Sequence, residues 1–106
     1  MAWFYLIVAG LLEVAWAYAM KRSEGFTLVV PAVTTVALMI ASFILLSIAM
    51  KSLPLGTAYT VWTGIGAVGA FLVGIAFLGE AVTLMRILAA TFIVIGMTLM
   101  KLASSS

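Results

Sequence analysis

With 67% hydrophobic and only 8% charged residues in a chain of 106, a soluble domain could not keep so much apolar surface from water. The chain has no cysteine and no histidine, which excludes disulfides and removes the commonest general base and metal ligand. Its net charge of +2 is spread over short loops and is no footprint for nucleic acid. We therefore expect a membrane protein that contacts the lipid bilayer, is not an enzyme, and has no catalytic residue, metal or cofactor.

Four apolar runs follow one another along the chain, each close to the roughly 20 residues that span a bilayer. They predict helices at about residues 3–20, 31–50, 57–78 and 85–102, in one transmembrane domain over residues 1–106. Charged residues, Pro or Gly separate the runs. Because every loop is short, neighbouring helices should be antiparallel. The predicted fold is an all-α, four-helix, multi-pass membrane protein.

The basic residues are divided almost evenly between the two ends of this predicted bundle. Lys21, Arg22 and Arg86 lie on one side, whereas Lys51 and Lys101 lie on the other with the N-terminus. The positive-inside rule needs an asymmetry, and here it is nearly absent. Either Lys21 and Arg22 fix one orientation, or copies insert in both directions; we favour the second interpretation, dual topology.

Glu13 lies near the membrane midplane, about 15 Å along the first helix at 1.5 Å per residue. An ionisable residue at that depth is costly and indicates a functional site. A buried ion pair is the alternative, but all five basic residues lie at helix ends or in loops. Burial disfavours the charged carboxylate, so the group can hold a proton and release it when a cation arrives. We predict that Glu13 binds either a proton or a cation, the minimum chemistry of an antiporter.

Residues three positions either side of Glu13 share its helical face, and they are Gly10 and Trp16. Gly10 leaves room, and Trp16 offers an apolar wall with one N–H donor. In the second helix, Ser42 lies near the middle and is a candidate donor to Glu13. A bond from Ser42 back to its own helix is an equal alternative.

In the third helix, Tyr59, Trp62, Thr63 and Gly66 recur at helical spacing. The rings of Tyr59 and Trp62 are suited to hold a cation by cation–π attraction. For Tyr59, near the start of the helix, an aromatic belt at the membrane interface is the alternative.

Glycines and small residues suggest where the bundle bends and packs. Gly64 and Gly66 predict a hinge in the third helix, with close packing along small residues as the alternative. Ala89 and Gly96 lie seven residues apart on one face of the fourth helix. They predict a packing seam between subunits.

Three motifs complete the pattern: Gly10-Leu-Leu-Glu13-Val-Ala-Trp16, Lys51-Ser-Leu-Pro54-Leu-Gly-Thr-Ala-Tyr59 and Trp62-Thr-Gly64-Ile-Gly66. With them the chain resembles the small multidrug resistance transporters over essentially its whole length. Trp16, Met39, Ser42 and Lys101 look like the guanidinium-exporter subtype, because the polyaromatic-drug exporters usually carry Gly and Tyr in place of Trp16 and Met39.

The resemblance implies an antiparallel homodimer of dual topology in the bacterial cytoplasmic (inner) membrane, exchanging protons for small organic cations, above all guanidinyl cations. It also implies that Glu13 of both subunits binds substrate and protons, and that the fourth helix dimerises. The lining residues of that site would be Trp16, Ser42, Tyr59 and Trp62, with Gly10, Met39, Thr60 and Thr63 as further candidates.

Thr60 departs from the family pattern, since both subtypes usually have Ala there. We take it as a sign that substituted or quaternary ammonium cations are exported beside guanidinyl compounds. A smaller departure is Ala89, where the multidrug branch often has Gly. A broad exporter of hydrophobic quaternary ammonium cations is the alternative function. A non-transporting membrane subunit is a further alternative, but it leaves Glu13 unexplained.

Overall fold

The computed structural model describes residues 1–103, which form four α-helices. They are α1 (Ala2–Arg22), α2 (Val29–Ala49), α3 (Leu55–Leu78) and α4 (Leu84–Ala103). Each is long and apolar enough to cross a membrane, which confirms the expectation of an all-α chain with four candidate spans. Residues 104–106, which the predicted domain includes, lie outside the described part.

Residues at the two ends of α3 explain where this helix begins and ends. Pro54 precedes α3 with an extended backbone, because its ring fixes φ and disfavours a helical residue before it. At the other end, Gly79 adopts a left-handed φ of 68°, and the Glu80 N–H donates to the Gly74 carbonyl over 3.1 Å. The chain therefore leaves α3 in a tight turn that brings Glu80 back over the last helical turns.

Helix α1 lies between α2 and α3 and packs against both, whereas α4 packs mainly against α3 and reaches α1 through Lys101, whose Nζ lies 5.1 Å from the centroid of the Trp3 ring. The first three helices share a buried core toward the end of the bundle that holds the N-terminus. Its members are Leu6, Ala9, Leu46, Ala49, Leu53, Ala58, Val61 and Trp62. No residue of α4 is buried over its described length, so most of that helix is left to lipid or to another chain.

Candidate functional site

The Glu13 side chain lies between α1 and α3, directly against Gly66. A Cβ atom at Gly66 would collide with the Glu13 carboxyl group, so only glycine leaves space for the acid at this point. The carboxyl oxygen Oε1 is buried and has no hydrogen-bond partner within residues 1–103. A buried polar atom without a partner is rare and calls for a ligand, a proton or another chain.

Trp16, one helical turn from Glu13, carries a second such atom. Its Nε1 donor is buried and has no hydrogen-bond partner in the described chain. The carboxyl oxygen of Glu13 and this indole nitrogen are the two unpartnered buried side-chain atoms among residues 1–103. Glu13 carries an acceptor and Trp16 a donor, and their spacing of three residues places them one helical turn apart on α1.

Ser42 connects three helices but does not donate to Glu13. Its hydroxyl donates to the Ala9 carbonyl of α1 over 2.7 Å and accepts from Trp62 Nε1 of α3 over 3.1 Å. A hydroxyl has one proton to give. The predicted donation to Glu13 is therefore wrong here, and so is the alternative bond within α2. Ser42 instead fixes the indole of Trp62 and the spacing of the helices beside the acid.

A row of aromatic rings crosses the three helices next to Glu13. The centroids of Trp16 and Phe43 are 6.5 Å apart, those of Phe43 and Trp62 are 5.8 Å apart, and those of Trp62 and Tyr59 are 5.6 Å apart. Trp62 is buried, whereas Tyr59 is 53% exposed at the open end of the row. Phe43 was not among the predicted residues; its place beside Ser42 was the available signal.

Gly10 lies where α1 packs on α3, whereas Met39 lies on α2. A Cβ atom at Gly10 would press on the Ile65 side chain at 2.7 Å, so this glycine permits close packing of α1 on α3 and does not open space for a ligand. Met39 is half-buried on α2, one turn before Phe43 and on the same helical face.

Thr60 and Thr63 lie on the side of α3 that faces α4. They line an apolar groove of about 530 Å³ between α3 and α4, together with Tyr59, Gly64 and Gly96. Tyr59 thus borders both this groove and the aromatic row. Glu13 does not line this groove, so within one chain the two threonines and the Glu13 carboxyl group do not share a cavity. The closeness of both threonines to Trp62 in sequence did not indicate this.

The predicted hinge glycines are packing positions in an unbroken helix. Helix α3 is continuous from Leu55 to Leu78. A Cβ atom at Gly64 would collide with the Met97 side chain of α4, just as one at Gly66 would collide with Glu13. The close-packing alternative therefore accounts for both glycines here, and bending at them stays a prediction.

Ala89 and Gly96 are exposed on α4. A Cβ atom at Gly96 would meet no atom within 4 Å, so no part of the described chain requires glycine there. The predicted seam with a second subunit stays a prediction, and the uncovered face is compatible with it.

Gly66→Ala should reduce transport strongly, because the added methyl group displaces the Glu13 carboxyl. Extra atoms in a packed interior cost about 1–3 kcal/mol, so we expect a loss on the order of tenfold or more in apparent cation affinity. Gly56→Ala is the matched control on the same helix, since a Cβ atom there meets nothing within 4 Å. Binding titrations of both purified variants check this, and equal affinities would show that the carboxyl group tolerates displacement.

Comparison with known proteins identifies the family of the chain. The family model described as Small Multidrug Resistance protein matches residues 1–93. A guanidinium exporter of Yersinia pseudotuberculosis is 55% identical over 104 residues, covering 98% of this chain and 100% of the relative. Guanidinium exporters of Escherichia coli K12 and Citrobacter freundii are 53% and 51% identical, each over 98% of this chain and 99% of the relative. The resemblance found in the sequence is confirmed, and the chain belongs to the small multidrug resistance family.

Proposed function

We propose that this protein exports guanidinium and guanidinyl compounds across the bacterial cytoplasmic (inner) membrane in exchange for protons. The relatives named as guanidinium exporters support the substrate class. The observation that carries the mechanism is that the carboxyl oxygen of Glu13 and, one helical turn away on α1, the indole N–H of Trp16 are both buried without a hydrogen-bond partner in the described chain. Both residues lie in the middle of a candidate membrane span. An acid at that depth is costly, which indicates a functional role.

The chemistry of guanidinium suits these neighbours. The ion is planar and weakly hydrated, and its N–H donors match the two oxygens of a carboxylate. The ring faces of the aromatic row, which begins at Trp16 one helical turn from Glu13, are suited to cation–π attraction. A proton and a guanidinium ion then compete for Glu13, so that binding one releases the other. This exchange couples export to the proton gradient.

The working unit in this proposal is an antiparallel homodimer. One chain leaves α4 packed mainly on α3, with the small residues Ala89 and Gly96 exposed. Small residues on an exposed face permit close approach of a second transmembrane helix. Two copies in opposite orientations would bring two Glu13 side chains to one midplane site. The nearly balanced basic residues at the two ends permit insertion both ways.

The test is electrical recording from the purified chain, reconstituted alone and exposed to a panel of cations. Guanidinium and monosubstituted guanidines should evoke current, with smaller currents from tetraalkylammonium ions. Larger tetraalkylammonium currents would favour the broad exporter of quaternary ammonium cations. Absence of both current and guanidinium-driven proton flux, with protein shown to be in the bilayer, would favour the non-transporting subunit and overturn the proposal.

Thr60→Ala is expected to reduce transport of bulky alkylammonium ions more than transport of guanidinium. Thr60 lies in the α3–α4 groove next to Tyr59, the exposed ring at the end of the aromatic row. A branched, polar side chain there changes the position of α4 and of Tyr59, which widens the aromatic edge of the site. Paired currents for guanidinium and a tetraalkylammonium ion check this, with Thr98→Ala on the exposed part of α4 as the control. An unchanged ratio of the two currents would assign Thr60 to packing.

A further inference from the structure

A second groove runs between α1 and α3, from the level of Glu13 to one end of the bundle. It has a volume of about 340 Å³, and Val14, Ala17, Ala67 and Ala70 are among the residues that form its inner walls. Val14 and Ala67 each adjoin a residue of the Glu13–Gly66 contact in sequence. The charged residues that line this groove, Lys21, Glu80 and Arg86, lie at its outer mouth. A small cation that travels along the groove therefore passes these three side chains.

At the mouth, the guanidinium group of Arg86 is held by three partners. Its Nη2 lies 3.2 Å from the Glu80 Oε1, and its Nη1 donates to the Ala81 carbonyl over 2.9 Å. The guanidinium carbon lies 5.3 Å from the ring centroid of Phe71. A carboxylate, a carbonyl oxygen and an aromatic face are the kinds of partner that suit a guanidinium ion. The chain thus presents a guanidinium-binding arrangement that its own side chain fills.

The Glu80 carboxyl group has supports other than Arg86. The left-handed turn at Gly79 directs the chain back, and the Glu80 N–H donates to the Gly74 carbonyl over 3.1 Å. A Cβ atom at Gly74 would collide with the Glu80 carboxyl group, so this acid rests directly on α3. We expect the carboxylate to keep its place when Arg86 leaves.

We propose that Glu80 and Phe71 form a second guanidinium site at the mouth of this groove, which Arg86 occupies at rest and which a free guanidinium ion takes by displacing it. The Arg86 and Glu80 side chains are 40% and 38% exposed, and ion pairs this open to water are weak. Displacement therefore costs little. Lys21 is the other basic side chain on the groove. Its positive charge repels a bound cation, so a cation at this site is released and not retained. The role of the site in export rests on the proposed function, whereas guanidinium binding to it does not.

The experiment measures guanidinium chloride binding in variants that lack the Glu13 carboxylate, read from the backbone amide NMR shifts of Gly79 and Glu80 in lipid bicelles. Glu13→Gln alone keeps the Arg86 competitor. Adding Arg86→Gln should tighten guanidinium binding by about fivefold, the effect expected when an exposed ion pair no longer competes. Adding Glu80→Gln as well should abolish it. Tetramethylammonium, which has no N–H donor, should gain no affinity from the Arg86 change.

Equal affinities of Glu13→Gln with and without Arg86→Gln would overturn the proposal, and so would binding that survives Glu80→Gln. If Arg86→Gln does not fold, Arg86→Lys is the second variant, since a single ammonium cannot contact Glu80 and Ala81 in the same fork and should give a smaller gain. No gain with a folded Arg86→Lys would count against the site. Because these proteins carry no Glu13 carboxylate, a positive result stands even if the wild-type chain gives no guanidinium current.

Discussion

Glu13→Gln is expected to abolish guanidinium-driven current while the protein still inserts into the membrane. Glutamine keeps the size of the side chain and its place against Gly66, but it cannot ionise, so it cannot exchange a proton for a cation. Electrical recording from reconstituted protein measures the loss. Glu24→Gln is the matched control, because Glu24 is exposed in the loop between α1 and α2 and should leave the current unchanged.

Retained coupled exchange in Glu13→Gln would contradict the assignment of Glu13 as the shared site. Parallel loss of current in Glu24→Gln would indicate that removal of any acid damages the protein. Equal amounts of both variants in the bilayer are required for either conclusion.

Fixing the orientation of the chain should have an effect of similar size. Two lysines added after Met50 should lock one orientation, and two added beside Lys21 should lock the other, because the positive-inside rule acts on small differences when the charges are balanced. Each locked form alone should give almost no current, and co-expression of the two should restore it. The reason is that an antiparallel dimer needs one copy of each orientation.

Orientation itself can be read from a single introduced thiol, since the chain has no cysteine of its own. Ser52→Cys, in the exposed turn between α2 and α3, should be labelled from both sides of the membrane in the otherwise unchanged protein. In each locked form it should be labelled from one side only. Full activity from one locked form would contradict the antiparallel dimer.

The sequence predicted the four helices well because apolar run length is set by the thickness of the bilayer and not by details of packing. Their ends shifted by one or two residues where turns and caps decide: α2 begins at Val29, before Pro31, because the first turn of a helix does not need the proline N–H. Glu13 could be singled out from the sequence because its cost in lipid is independent of the fold, and its role in transport stays a prediction.

The partners of the polar groups were not predictable, because periodicity gives the face of a helix but not the helix that covers it. We therefore predicted that the Ser42 hydroxyl donates a hydrogen bond to Glu13, whereas it donates to the Ala9 carbonyl. For the same reason Thr60 was placed near the cation site and lies in the groove toward α4. Phe43 was missed because large apolar residues are expected everywhere in α2, so its position beside Ser42 did not single it out.

The glycines of α3 illustrate the same difference between what residue spacing predicts and which contacts the structure shows. Their spacing in α3 predicted either flexibility or close packing, and only coordinates identify the opposing atoms. Gly66 faces the Glu13 carboxyl group, Gly64 faces Met97, and Gly74 faces Glu80. Three glycines of one helix thus serve three different contacts. The Glu80–Arg86 pair could not be anticipated, since it depends on the left-handed turn at Gly79 that folds the loop onto α3.

The central claim is that protons and guanidinium compete for Glu13, and the pH dependence of guanidinium affinity tests it most directly. The apparent affinity is taken from the guanidinium-driven proton flux of the reconstituted wild-type chain, which is measurable whether or not the exchange moves net charge, over a series of pH values with equal pH on both sides. If one proton competes with one cation, affinity should weaken as pH falls and approach about tenfold per pH unit where Glu13 is mostly protonated. In a dimer the two carboxyl groups titrate together, so the observed transition belongs to the pair. An affinity that stays constant across the whole series would contradict a shared site.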